Sequence, residues 1–175
     1  MSLHYKIFLV GMPGSGKSTV GRQLADKLNM TVVDLDEKIE EQAQSSIKEI
    51  FTHHSETHFR ELEQSALKVV AQIDESLIIS TGGGAPCFFD NMDVIKSSGV
   101  SVFVDTPLEE LIVRLNAYEK GKRPKFSSHE GLREQLEKLY TDRLPFYQQA
   151  DLRWVSTKET VDQLIVRLKE LKKLN

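Results

Sequence analysis

An open, mostly parallel α/β sheet covered by helices is the fold class that this 175-residue sequence predicts, and two observations predict it. Five short apolar runs, over 5–10, 31–33, 77–80, 100–104 and 152–155, read as strands and alternate with amphipathic stretches of helical length. Alternation of this kind builds parallel sheets with helical crossovers. Directly after the first run stands Gly11-Met12-Pro13-Gly14-Ser15-Gly16-Lys17-Ser18, which fits the G-x-x-x-x-G-K-[ST] pattern of a phosphate-binding loop.

Glycines let the first loop curl and aim successive N–H groups at phosphate oxygens, and the helix that follows, over 20–28, adds its positive N-terminal end. A nucleotide polyphosphate is the expected ligand, with Lys17 reaching its β- and γ-phosphates and the Ser18 hydroxyl on Mg2+. A glycine-rich turn between strand and helix is the plainer alternative. The second strand ends in Asp34-Leu35-Asp36 and leads into a helix over 37–42. Ser46-Ile47-Lys48-Glu49 has capping-box spacing before Ile50-Phe51, and Ser55 is placed to cap a helix over 56–73. The third strand runs into Thr81-Gly82-Gly83-Gly84, and Pro107 suits a first helical turn after the fourth. A long helical stretch begins near Leu132, and Val161, Leu164, Leu168 and Leu171 recur at helical intervals as a core-facing stripe.

Composition narrows the function classes. Apolar content of 39% and charged content of 28% are ordinary for a globular chain, and no apolar stretch approaches the ~20 residues that span a bilayer. With 23 basic and 26 acidic side chains the net charge is −3, which gives no general attraction for nucleic acid or an anionic membrane. Cys87 is the one cysteine, so neither an intrachain disulfide nor a thiolate cluster is available. No secretory leader pattern is seen at residues 1–6, and a cytoplasmic location is expected. No repeat or Pro/Gly/Ser-rich linker divides the chain, so one domain over 1–175 is expected.

Open parallel sheets gather ligands beyond the carboxyl ends of their strands, which puts the phosphate loop, Asp34-Leu35-Asp36 and Gly82-Gly83-Gly84 on one edge. Asp34 and Asp36 have the spacing of neighbours on one face of an extended segment, so both carboxylates are expected in one crevice. Asp34, near Ser18, could hold a metal-bound water; Asp36 could orient an acceptor hydroxyl and take its proton. The alternative is that Asp36 only caps the next helix. The three glycines could form an anion-binding nest, permit close approach to the backbone, or make a plain turn. Arg60 and Arg143 together would suit a carboxylate, although each alone reads as a surface ion-pair residue. The run from Lys120 to Lys125 packs four basic side chains into six residues and reads as a solvated loop or as a lid. His54 and His58 are four apart, but Ser55 stands where a zinc protease carries Glu and no third ligand is apparent, so a solvated or packed role is expected.

Taken together, these motifs resemble those of shikimate kinases. The match includes the phosphate loop, Asp34-Leu35-Asp36, Ile50-Phe51, Phe59-Arg60-Glu61-Leu62-Glu63, Gly82-Gly83-Gly84-Ala85, Arg123-Pro124 and Arg143-Leu144-Pro145-Phe146-Tyr147. The resemblance implies a three-layer P-loop kinase fold like that of nucleoside monophosphate kinases, with a five-stranded parallel sheet in the order 2-3-1-4-5. It also implies ATP-dependent phosphorylation of the shikimate 3-hydroxyl by a monomer in the route to chorismate, with Mg2+ as cofactor. Residue by residue, it implies that Gly14, Ser15, Gly16, Lys17, Ser18, Thr19, Arg114 and Arg123 serve ATP, Arg114 against adenine and Lys17 and Arg123 on the phosphates. Ser18 and Asp34 would serve the metal. Asp36, Arg60, Gly83, Gly84 and Arg143 would bind shikimate, Lys17, Asp36 and Arg123 would be catalytic, Glu63 would buttress Arg60, and Phe51 and Phe59 would wall the substrate. A helical segment near 36–63 would carry acceptor contacts, and a mobile lid would lie near 116–131. One departure is that Lys125-Phe126 replace the two leucines that commonly follow the lid Arg-Pro, which implies altered affinity rather than a different reaction.

Two other enzymes share parts of this chemistry. A nucleoside monophosphate kinase would need a pocket for a second base, and a gluconate-type kinase also takes a hydroxy acid. A nucleotide sensor without transfer would dispense with Asp36 or Arg123, and both are present.

Overall fold

Five strands, β1 (Lys6–Val10), β2 (Thr31–Asp34), β3 (Leu77–Ser80), β4 (Val100–Asp105) and β5 (Leu152–Val155), pair in parallel in the order β2-β3-β1-β4-β5. This computed structural model describes residues 5–119 and 129–171. Between the strands run α1 (Lys17–Leu28), α2 (Leu35–Ala43), α3 (Ile47–His53), α4 (Glu56–Gln72), α5 (Asn91–Ser98), α6 (Leu108–Glu119), α7 (His129–Tyr147) and, after β5, α8 (Val161–Glu170).

The central strand explains the layering. All of β1 is buried, as expected of a parallel strand covered on both faces. Because successive side chains alternate, Ile7 and Leu9 pack with Val20 and Leu24 of α1 and Leu164 and Leu168 of α8. Phe8 and Val10 face the opposite core, with Leu35 and Ile39 of α2, Leu67 of α4, Ile95 of α5 and Leu136 of α7. Three layers follow from that alternation. The stripe expected in the last helix is core packing, as its periodicity suggests.

Strand connections position the site. β1 feeds α1 on one face, whereas β3 feeds a short 3-10 helix, Ala85–Cys87, and then α5 on the other. Adjacent strands whose connections leave on opposite faces open a crevice at their carboxyl ends. Thr81 ties the two ends together: its N–H and its hydroxyl both donate to the Leu9 carbonyl, at 3.1 and 2.9 Å.

Helix starts show a division of labour. Ser46 and Glu49 form the expected capping box of α3, Ser55 accepts from the His58 N–H at α4, and Thr160 with Gln163 caps α8. α2 corrects the sequence reading, since it begins at Leu35 and its cap is Asp34, whose Oδ1 accepts from the Asp36 N–H at 3.0 Å. Asp36 therefore lies in the first helical turn rather than on an extended segment, and it is not the cap. α1 has no side-chain cap at all; its N-cap is Gly16, at φ +92°. The first N–H groups of α1 are thus left to an external acceptor.

Candidate active site

All three glycines of the phosphate loop, Gly11, Gly14 and Gly16, have positive φ. Gly16 occupies the left-handed region, and Gly11, at φ +146°, has no room for a side chain because a Cβ there would lie 2.5 Å from the Val104 carbonyl oxygen. The turn is closed by the Ser15 N–H donating to the Met12 carbonyl at 3.1 Å, and the Thr106 hydroxyl donates to the Ser15 carbonyl at 2.8 Å. Across the arch, the buried Lys17 Nζ donates to the carbonyls of Gly11 and Met12 at 2.9 and 2.8 Å. Burial lowers its pKa to about 8, against the opposing pull of Asp36 and Asp34.

Beside the loop, the Ser18 hydroxyl donates to Asp34 Oδ2 at 3.1 Å and lies 3.1 Å from the Ser80 Oγ. This is a set of hard oxygen donors of the kind that suits Mg2+, which binds few protein ligands and keeps waters and phosphate oxygens. Among the described residues no group of three or more His, Cys, Asp or Glu could hold a metal on side chains alone. His54 and His58 instead pack ring to ring, with centroids 4.6 Å apart.

A cavity of about 740 Å3 joins these parts. Gly14, Ser15, Gly16, Lys17, Ser18, Thr19 and Arg114 line it on one side, and Asp34, Asp36, Gly82 and Gly83 on the other. Arg114 is fixed by Nη1 donating to the Gly14 carbonyl at 3.2 Å and by an ion pair with Glu110. Asp36 is open to solvent through the cavity. Even so, desolvation raises its pKa, Asp34 and Glu40 add to the rise, and Lys17 and Arg60 oppose it.

Behind Gly82–Gly84 lies a second cluster of charges. Arg60 is 8% exposed, and its Nη1 donates to Glu63 Oε2 at 2.8 Å; Glu63 is 1% exposed, and burial raises its pKa even against Arg60. Arg143, on α7, has a buried Nη1 with no hydrogen-bond partner among the described residues. Both arginines act on Glu63 and on Cys87, whose thiol is pushed up to about 11 by burial despite them. Both guanidinium groups therefore act on the same buried carboxylate and thiol, a shared neighbourhood that sequence could not show. A buried guanidinium nitrogen without a partner is costly, and an anionic group supplied by a ligand would satisfy it.

The three glycines bring the two clusters together. None has φ in the left-handed range, so the run is not a nest of alternating backbone conformations. Close approach is what it permits. A Cβ would meet Glu63 Oε1 at 2.9 Å and Asp36 Oδ1 at 3.1 Å from Gly82, Pro13 Cδ at 2.6 Å from Gly83, and Arg60 Nη1 at 2.6 Å from Gly84. The Tyr147 hydroxyl, one helical turn beyond Arg143, donates to the Gly83 carbonyl at 2.6 Å and fixes the run from α7.

Not every expected residue meets the cavity. Arg60, Gly84 and Arg143 do not line it; Arg60 lies against Gly84, the last residue of the glycine run. Phe51 is exposed and packs on the buried Phe59, with ring centroids 4.6 Å apart. Arg123, Lys125 and Phe126, with most of the lid expected near 116–131, lie outside the described residues. Sequence reading missed Ser80, Gln23, Trp154 and Ser156, which also line the cavity. Ser80 carried a signal, since it ends β3 at the carboxyl edge; Trp154 and Ser156 arrive from β5, far away in sequence.

A parallel sheet with an uncapped helix behind a glycine loop at its switch point, a Lys-Ser pair opening that helix and carboxylates opposite defines a P-loop phosphotransferase. The shikimate kinase family model matches residues 13–172. A shikimate kinase of Parabacteroides distasonis is 42% identical over 149 residues, which covers 84% of this chain and 85% of the relative. The crystal structure of the shikimate kinase from Bacteroides thetaiotaomicron superposes with a TM-score of 0.83 at 36% identity, covering 96% of this chain and 98% of the other. The structure of the Acinetobacter baumannii enzyme in complex with shikimate gives a TM-score of 0.82 at 31% identity, covering 98% and 96%. The chain belongs to the shikimate kinase family, and its activity is ATP-dependent phosphorylation of shikimate. No helix among the described residues is long and apolar enough to cross a membrane.

Proposed function

We propose that this chain transfers the γ-phosphate of ATP to the 3-hydroxyl of shikimate by holding the nucleotide on Gly14–Thr19 and the acceptor between Asp36, Gly83, Gly84, Arg60 and Arg143. The observation that supports this reading is the glycine run, whose three successive residues are closely approached by Asp36 and Glu63, by Pro13 of the phosphate loop and by Arg60 in turn. The uncapped N–H groups of α1 and the Lys17 ammonium bind polyphosphate oxygens, and Arg114 supports the base. The Arg60 and Arg143 guanidinium groups take the acceptor carboxylate.

Asp36 orients the acceptor hydroxyl. As the acceptor oxygen bonds to the γ-phosphorus and the bond to ADP breaks, the hydroxyl proton passes to the Asp36 carboxylate, whose raised pKa suits it to accept. Lys17, held by the carbonyls of its own loop, faces the charge that develops on the transferred oxygens. Ser18 and Asp34 would hold Mg2+, which when bound neutralises phosphate charge and orients the polyphosphate. Arg123 is proposed to reach the phosphates on the strength of the motif alone. The chain acts in this proposal as a cytoplasmic monomer and a single kinase domain, and its net charge of −3 gives no general attraction for nucleic acid.

An ADP-release assay tests the reading. Turnover with shikimate, and none with AMP or gluconate, is the expected outcome. Turnover on AMP or gluconate would transfer the acceptor assignment to another kinase, and tight ATP binding without turnover on any acceptor would make the chain a sensor.

A further inference from the structure

We infer that Phe88 is a positioning residue for acceptor recognition, its ring face holding the Arg60 guanidinium so that the edge donors stay free for the acceptor carboxylate. The inference rests on the reading of Arg60 as a carboxylate clamp. Arg60 Cζ lies 4.1 Å above the Phe88 ring centroid, well inside cation–π range, and 5.1 Å from that of Phe59.

Donor accounting shows why a ring is needed there. Guanidinium has five N–H donors. Three are engaged: Nε and Nη2 donate to Glu56 Oε1 at 3.3 and 3.1 Å, and Nη1 donates to Glu63 Oε2 at 2.8 Å. Among the described residues no partner takes the remaining N–H of either terminal nitrogen, which leaves two donors of the kind an Arg–carboxylate fork uses. A further carboxylate or carbonyl anchor would consume that fork. A ring anchors the cation through its face and consumes no donor.

The segment carrying Phe88 is tied to the helix carrying Arg60. Asp90 Oδ1 accepts from Gln64 Nε2 at 2.6 Å and pairs with Lys68 Nζ at 3.4 Å. Arg60, Gln64 and Lys68 are spaced four apart, so one stripe of α4 grips the Phe88–Asp90 segment at successive turns. Phe89, between the two anchors, is in the left-handed region at φ +51° and is 58% exposed, while Phe88 is half-buried over Arg60. A bulky residue there is uncommon and strained.

The test compares steady-state constants for shikimate and ATP in Phe88→Leu, Phe88→Trp and a series with mono-, tri- and pentafluorinated phenylalanine at position 88. Loss of a buried cation–π contact should raise KM for shikimate roughly 3- to 30-fold in Phe88→Leu. Phe88→Trp should restore it, and KM for ATP should stay unchanged throughout. Along the fluorinated series, which keeps the ring while draining its face of negative charge, KM for shikimate should climb in step with fluorine count. A flat series overturns the inference even if Phe88→Leu is impaired or does not fold. Arg60→Lys is the control for the underlying reading: if it leaves KM for shikimate unchanged, the clamp itself fails, whereas a raised KM with a flat fluorinated series rejects Phe88 alone.

Discussion

Between Pro13 and Thr19 one side of the cavity is made by consecutive residues and largely by their backbone, whereas the facing side, lined by Asp36, Gly82 and Gly83, is backed by Arg60, Glu63, Gly84 and Arg143, so that four separate segments meet there. The loop's shape comes from glycine conformations and backbone hydrogen bonds, so its only buried charge is Lys17. The facing side keeps Arg60 and Glu63 out of water, where each is tolerable only because the other is present. Damage to the loop should therefore appear as lost chemistry, and damage to the facing side as lost stability as well.

Lys17→Met tests the loop half of that contrast most severely. Turnover should fall about 10³-fold as a preorganised donor is lost, while the thermal midpoint holds or rises because an ammonium kept charged against burial is gone. A large drop in the midpoint would erase the distinction. Glu63→Ala tests the other half, since leaving Arg60 without its buried partner, with only the exposed Glu56 beside it, should cost about 3–5 kcal/mol in urea unfolding. Glu56→Ala removes the exposed partner of the same guanidinium and should cost under about 1 kcal/mol. Equal costs would mean that burial is not what separates the two glutamates.

Asp36 stands where the two sides meet and should show chemistry without instability. Asp36→Asn should lower kcat roughly 10²-fold with KM for ATP nearly intact, and equal loss in both would count against an acceptor role. Cys87 reports how dry the facing side is. Its raised thiol pKa means that less thiolate is present at any pH below about 11, so alkylation at pH 8 should run roughly 20-fold slower than for a free thiol. The rate should keep rising as pH approaches 11; a plateau in the ordinary thiol range would show a wetter cluster.

Strands were legible because each is a short apolar run bounded by breakers, and all five lie within a residue of their expected limits. Caps at Ser46 and Ser55 were legible for the same local reason. Asp34 and Asp36 were distinguishable only in part, because whether the helix starts at residue 35 or 37 depends on which carboxylate turns back onto the backbone. Gly82–Gly84 announced something unusual but not its kind: their torsions are ordinary, and the demand for glycine comes from Pro13, Glu63 and Arg60 crowding in from elsewhere.

By itself the sequence determined the α/β layering, the phosphate loop and the chemical types brought to the sheet edge, since periodicity and short motifs express interactions among neighbours in the chain. Only the tertiary structure decided that Arg60 and Arg143 both act on Glu63, that one is pinned between Glu63 and Phe88 while the other keeps a buried nitrogen without a partner among the described residues, and that Ser80, Trp154 and Ser156 join the cavity. Those are consequences of desolvation and close packing between segments distant in sequence, and neither quantity is a property of any one segment.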